Sequence, residues 1–383
     1  MVRHGRLMTA RLQAGNIPAG TPIRISYANT VAPYVSETEE VWIRVNEEEP
    51  DYPPVLQTTP GPHEYFRILV PSMVEQNREF EVLIVSLDRF DNASSTAFTS
   101  ETLSLMDGTV MAENISFSGT VRVPVQLSRS GVYRFCFKGA VSNAVKTGDN
   151  MQGPYWGDLH VHTKLSHDGQ GTEPYVYARE VSGLDFAAVA DHWTSLGPEG
   201  YRILKQWAEE ANSPGVFVTL PADERNPEEL NGHHNVYLSG IEAMERYQAV
   251  HDECSEDSEN DTDPPNSFSW LQEVDASEVM IIPHHTGINF GDLPRRDSGS
   301  AIDWDAADDN GLRPVMEIYS HHGQSESYNP QHLLAYEWNR MRNPERRANT
   351  SMPGPFYARN YWMQGKRIGV IASSDEHSGC LLY

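Results

Sequence analysis

The residues of this 383-residue chain that could do chemistry stand at the ends of short apolar runs. GDLHVHTKLSHDG carries His160, His162 and Asp168, FAAVADHW ends in Asp191 and His192, and VFVTLPADER brings Glu224 and Arg225. His233 and His234 precede NVYL, His284 and His285 close VMIIP, and Asp375 and His377 follow RIGVIAS. Thirteen of the fifteen histidines lie at or after His160. Imidazole and carboxylate are ligands for zinc, iron or manganese, and His160 and His162, two apart on a strand, share a face and can chelate one ion. One HxH is weak evidence, and a lone Asp-His after a strand is usually a turn pair. Five such strand ends in one chain are not explained that way. Strand tips that converge on one pocket are what a multi-metal hydrolase needs.

Other residues of the same types read differently. His251 and His332, in an acidic loop and a helical stretch, are expected at the solvated surface. His321, His322 and Glu326 follow PVMEIYS and divide evenly between pocket lining and structure. Trp193 and Tyr319 are expected to pack.

The elements that must position these residues fall into two patterns. Residues 1–59 are rich in Pro, Glu and Thr, with strand-like runs at Ile23 to Tyr27 and Val41 to Val45. From Glu64 to Val145 apolar and polar residues alternate between turn signals (YFRILV, FEVLIVSL, GTVRVPVQL, GVYRFCF), which predicts an antiparallel, Ig-like sandwich. KTGDNMQGPYW reads as a linker, dividing the chain into a β-rich part, 1–150, and a second part, 151–383. There the strand runs DLHVH, FAAVA, VFVTL, VMIIP, PVMEIY and RIGVIAS alternate with amphipathic stretches at Glu173 to Ser182, Pro198 to Asn212, Pro330 to Arg342 and Pro355 to Gln364. That alternation predicts an α/β fold, a parallel sheet wrapped by helices, with polar residues at the carboxyl ends of barrel strands. HDECSEDSENDTDPPNSFS, 251–269, reads as an acidic surface loop, lacking the glycine and terminal Glu of a calcium loop. The chain stops six residues after His377 with no helix to cover the last strand, so a barrel closing there is expected to be incomplete at its C-terminus.

Bulk composition narrows the partners. A net charge of -25 with no basic stripe argues against nucleic acid. No run of about 18 apolar residues predicts a membrane span, and the basic start lacks a signal-peptide core, so the expected compartment is the cytoplasm. Cys136, Cys254 and Cys380 have neither zinc-ribbon spacing nor a disulfide framework.

In order, DLHVHTKLSHDG, LDFAAVADH, the Glu224 segment, IIPHH and SSDEH resemble the motif set of the PHP (polymerase and histidinol phosphatase) superfamily over Gly157 to Gly379. The β-rich leader with GHHNVYL, IIPHHTG and IASSDEHSG resembles its uncharacterised branch, catalogued as a domain of unknown function. The resemblance implies a distorted seven-stranded (β/α) barrel, two or three divalent ions (Zn, Mn or Fe) and hydrolysis of a small phosphorylated substrate. It assigns His160, His162, Glu224 and Asp375 to a first metal, with Glu224 bridging to a second. The second is completed by His233 or His234 and His284 or His285, of which His233 and His284 are taken. Asp168, His192 and His377 would hold a third. Asp191 is expected to orient a ligand histidine, Arg225 or Lys164 to meet phosphate, and His322 or His192 to protonate the leaving group. The alternatives are an amidohydrolase-type enzyme cleaving C–N bonds and a degenerate barrel with structural metals. The former often bridges its metals with a modified lysine, where this chain has Glu224.

Overall fold

The computed structural model describes residues 34–40, 55–151, 153–172, 174–225, 232–247, 277–289, 312–337 and 349–377, with 18, 21, 275, 301, 302 and 304. The runs at Ile23 to Tyr27 and Val41 to Val45, the acidic segment 251–269, Cys254 and Cys380 lie outside them. The protein is mixed α/β, mostly sheet with few helices.

In the leader, β1 (Thr38–Glu40) pairs antiparallel with β2 (Val55–Gln57). The sandwich that follows contains β3 (Tyr65–Leu69), β4 (Met73–Glu75), β5 (Glu79–Leu87), β6 (Ala97–Leu105), β7 (Val110–Ser118), β8 (Thr120–Gln126), β9 (Gly131–Tyr133), β10 (Phe135–Phe137), β11 (Ala140–Val141) and β12 (Val145–Gly148). They form sheets ordered β3-β5-β8, β11-β10-β6-β7 and β4-β12-β9. Two features depart from the sequence reading. GVYRFCF is not one strand: it breaks at Arg134, so that β9 and β10 join different sheets, as strands do at sandwich corners. And β12 pairs parallel with β4, so the leader is not wholly antiparallel.

The near-continuous apolar run of β5 is explained by burial on both faces. Val82 and Ile84 alternate into a core with Phe135 and Phe137. Leu83, Val85 and Leu87 point the other way, onto Val181 and Tyr177. Those two partners belong to the second part of the chain, where α1 (Pro174–Glu180) ends on Gly183 at φ +63. A Cβ there would come within 2.8 Å of Leu69 and 3.0 Å of Leu83, so the close approach of the sandwich requires glycine. Arg122 of β8 extends the contact, donating to Glu180 at 3.2 Å and to the Arg179 carbonyl at 2.7 Å.

The second part is built on a five-stranded sheet, β13 (Gly157–Val161), β14 (Phe186–Val189), β15 (Val218–Arg225), β16 (His234–Leu238) and β17 (Val279–Pro283), in that order. A two-stranded ladder pairs β18 (Ile288–Asn289) with β21 (Thr350–Ser351). A three-stranded sheet is ordered β20 (Gly323–Gln324), β19 (Val315–Ser320), β22 (Gly369–Ala372). Around them lie α2 (Trp193–Ala211), a helical run α3 over 241–247 and α4 (Ala358–Met363). The helix expected from Pro198 begins a turn earlier and kinks at Gly197, φ +54, before the proline. Its buried Leu196, Tyr201, Leu204 and Ala208 follow the helical period.

Two expectations are corrected, and a third is not shown. NVYL is itself part of a strand, β16, and it pairs antiparallel with both β15 and β17, so the sheet is mixed rather than parallel. The stretch from Pro330 is turns and a short 3₁₀ segment over 330–337, because Gln324 N–H bonds the Leu334 carbonyl and Tyr336 shares a hydrogen bond with Ser325. A seven-stranded barrel is not shown by the pairing among the described residues, where β13–β17 and β20-β19-β22 are separate sheets. Single contacts join their margins, Val161 bridging to Glu376 and Ile281 N–H donating to the Leu312 carbonyl.

No described helix is long and apolar enough to cross a membrane.

Candidate metal centre

The mixed sheet direction decides which residues meet. Because β16 runs against β15, its amino end lies beside the carboxyl end of β15, with Arg225 opposite His234. Because β17 reverses again, Pro283 also lies opposite His234, and His284 follows. One margin of the sheet therefore collects Glu224, His233 and His284. β13 delivers His160 and His162 to the same margin, and the segment after β22 delivers Asp375 and His377 through backbone bonds from His162 N–H and Gln170 N–H to the Glu376 and His377 carbonyls. The HDG turn folds back closely: a Cβ on Gly169 would lie 2.2 Å from the Thr163 carbonyl oxygen.

Glu224 is at the middle, buried at 2% exposure. Its Oε2 lies 3.0 Å from His162 Nε2, 3.4 Å from His192 Nδ1 and 3.6 Å from His160 Nε2. Its Oε1 lies 2.9 Å from His233 Nδ1 and 3.2 Å from His284 Nε2. The two oxygens of one carboxylate thus face two separate sets of imidazoles. Asp375 is arranged alike, with Oδ1 3.3 Å from His160 Nε2 and 3.3 Å from His377 Nε2. Its backbone is left-handed, φ +53, an uncommon conformation for a non-glycine residue that clusters at functional sites. Asp168, partly exposed, meets His192 at 3.4 Å and His377 at 3.5 Å.

Of the doubled histidines, His233 and His284 face Glu224, while the buried His234 turns its Nδ1 to the Gly232 carbonyl at 3.2 Å. His285 packs its ring on His233 and His284 at 4.8 and 4.3 Å. The nine residues assigned to metals from sequence, His160, His162, Asp168, His192, Glu224, His233, His284, Asp375 and His377, all join this cluster.

The donor set fits divalent metal. Two ligands each about 2.0–2.1 Å from a tetrahedral zinc stand about 3.3 Å apart, the separation seen throughout the cluster. His160 Nε2 and His162 Nε2 face each other at 3.2 Å. His377 Nδ1 and Asp168 Oδ1 are buried and face each other at 3.5 Å. Glu224 is in the charge state a metal ligand needs: burial raises its pKa, but His192 and His284 more than offset this and hold it well below the usual carboxylate range. Burial drops His162 to about 3 and His284 to about 4, leaving both neutral. Burial lowers His377 too, yet hydrogen bonds to Asp168 and Asp375 carry it up to about 10. Neighbouring carboxylates likewise outweigh burial at His160 and His192 and raise both, so metal, which requires neutral imidazoles, would displace protons from His160, His192 and His377.

One sequence assignment is corrected. Arg225 does not face the cluster. Successive strand residues point to opposite faces, so with Glu224 inward Arg225 points outward with Asp223, bonding Asp223 Oδ1 at 3.3 Å and Tyr247 Oη at 2.9 Å and stacking 4.5 Å over Trp193. Asp191 stands one hydroxyl away from a cluster histidine. It accepts from Thr163 N–H at 2.6 Å and Thr163 Oγ1 at 2.7 Å, and it reaches His162 only through Ser166, whose Oγ is 3.0 Å from His162 Nδ1. His322 does reach the cluster, 3.3 Å from Asp375 Oδ2.

Glu317 was missed. Its Oε2 lies 3.0 Å from His160 Nδ1, the ring nitrogen turned away from the other ligands, and burial lifts its carboxyl to about 7. A charged residue inside the apolar run PVMEIY was the available signal. Glu317→Gln is expected to weaken metal binding about 10- to 100-fold, the usual effect of losing a carboxylate behind a ligand histidine. Chelator competition reads this directly, and unchanged affinity would show that His160 does not depend on Glu317.

A family described as "Protein of unknown function (DUF3604)" matches residues 199–381. No curated protein matches the chain. Among solved structures, the chain is similar to a two-domain protein from Bacteroides vulgatus containing a predicted PHP-like metal-dependent phosphoesterase, at 13% identity and TM-score 0.34. That match covers 59% of this chain and 52% of the other, so the chain spans about half the length of that relative. A protein from Bifidobacterium adolescentis, whose description proposes a metal-dependent phosphoesterase, matches at 15% identity and TM-score 0.32 over 60% of this chain and 90% of the other. A superoxide reductase from Ignicoccus hospitalis matches 22% of this chain and 80% of its own at 14% identity and TM-score 0.17.

Proposed function

We propose that this chain is a metal-dependent phosphoesterase acting on a small phosphorylated substrate. One observation carries the reading: the two oxygens of Glu224 face His162, His192 and His160 on one side and His233 and His284 on the other, as a bridging ligand does. His160, His162, Glu224 and Asp375 would hold one ion, Glu224, His233 and His284 a second, and Asp168, His192 and His377 a third. Divalent ions there supply Lewis acidity, acidifying water and neutralising charge on phosphoryl oxygens.

The chain's own residues do the rest. Glu317 fixes the ring of His160, and Asp191 fixes that of His162 through Ser166. The buried carboxylates keep the pocket receptive to cations, whose excess positive charge suits an anionic substrate despite the acidic protein. With Arg225 turned away, phosphate recognition falls to the ions, to the imidazoles at the rim and to Lys164, the other basic residue singled out from the sequence. The margin contacts at Val161 and Ile281 support a distorted barrel formed by β13–β17, β19 and β22, preceded by the sandwich over 1–150.

The bridging glutamate, in the place where amidohydrolase-type enzymes often have a modified lysine, favours phosphoester over C–N chemistry. Chelation is expected to abolish hydrolysis of aryl phosphates, and Mn or Zn to restore it. Preferential turnover of amides or lactones by the reloaded protein would give the site to the second reading.

A further inference from the structure

Asp375 has a second side. Its Oδ1 meets His160 and His377, while its Oδ2 lies 3.3 Å from His322 Nε2 and 3.4 Å from Ser320 Oγ. His321 lies beside His322, ring centroids 4.0 Å apart, and 5.4 Å from His377. The pair is held in place by its turn. His321 N–H and Nδ1 both address the Ser374 carbonyl, at 3.1 and 3.3 Å. His322 N–H donates to Ser320 Oγ at 3.3 Å. Gly323, φ +139, turns the chain where a Cβ would meet the Tyr336 ring at 2.9 Å. His321, His322, Asp375 and His377 each offer a ligand atom, and these lie within 4.8 Å of one another.

We infer that His321, His322 and the Oδ2 oxygen of Asp375 form an additional divalent-cation position, on the opposite side of Asp375 from the ion held by His160 and His162. Asp375 then bridges two ions as Glu224 does. The Nε2–Oδ2 separation of 3.3 Å is the edge expected of a tetrahedral zinc-class site, about 3.3 Å. An anion is disfavoured there because the Asp375 carboxylate would face it. Imidazole donors select a transition-metal ion such as zinc or manganese over magnesium or calcium. This inference rests on the phosphoesterase reading for its setting, but its test does not.

The experiment measures zinc stoichiometry and stepwise affinity on the full chain by calorimetry and elemental analysis. His321→Ala/His322→Ala is expected to lose one equivalent of zinc relative to the unsubstituted protein, while the remaining equivalents keep their affinities within a few-fold. His322→Asp keeps a ligand and is expected to retain that equivalent, while His322→Ala alone, expected to lose it, stands in if the double variant fails to fold. If the alanine variant holds the full complement, the additional position does not exist. A general weakening of about 10- to 100-fold with no equivalent lost would make His322 a support for Asp375 instead, and would overturn the inference. Failure of the unsubstituted protein to bind zinc, manganese or iron would remove the phosphoesterase reading itself, a different outcome from either.

Discussion

Glu224→Gln is expected to lower turnover of an aryl phosphate by about a thousandfold or more and to reduce bound metal in the same preparation. The carboxylate faces five imidazoles, and its amide would present a neutral oxygen to one set and an N–H₂ donor to the other. An amide nitrogen is no ligand, so the bridge is broken and the site loses several kcal/mol of charge stabilisation, about 4 kcal/mol corresponding to a thousandfold. The fold is expected to persist, because the change conserves volume. Metal content and turnover measured together decide it. Turnover that survives with the metal gone, or metal and turnover both unchanged, would end the phosphoesterase reading.

The second large effect is on stability. Asp223 and Arg225 are both nearly inaccessible, and Tyr247 bonds both while Tyr201 bonds Asp223. Asp223→Ala leaves a guanidinium buried without its counter-charge, at an expected cost of about 3–5 kcal/mol. Asp223→Leu with Arg225→Met removes both charges and is expected to recover most of that loss. Denaturation midpoints measure the difference, with metal content unchanged in each variant. If Arg225→Met instead left the midpoint alone and raised KM for a phosphate substrate, the guanidinium would face the pocket after all.

The positions just after strands were legible because residue type and place coincide: apolar run, then His or Asp. His160, His162, Glu224 and Asp375 needed nothing more to be singled out. The outward turn of Arg225 was legible in principle, since residues 224 and 225 of one strand cannot share a face. The direction of β16 was not. Its apolar residues look the same whichever way the chain runs. Glu317 was hidden for a related reason, because its partner, His160, is 157 positions away and only packing brings them together. The stretch after Pro330 shows the opposite failure: its helical pattern gives way to bonds from Gln324 and Ser325 that no local window contains.

The packing of the leader sheet on α1 has a consequence for how the chain can be divided. The composition shift near residue 150 is a change of pattern, but Leu83, Val85 and Leu87 on one side and Val181 and Tyr177 on the other share a single apolar layer. The helix in that layer begins six residues after Asp168. Cutting the chain at the shift would leave an oily face bare and unmoor the loop that carries one of the carboxylates, so the two halves are better regarded as one unit of handling than as detachable modules.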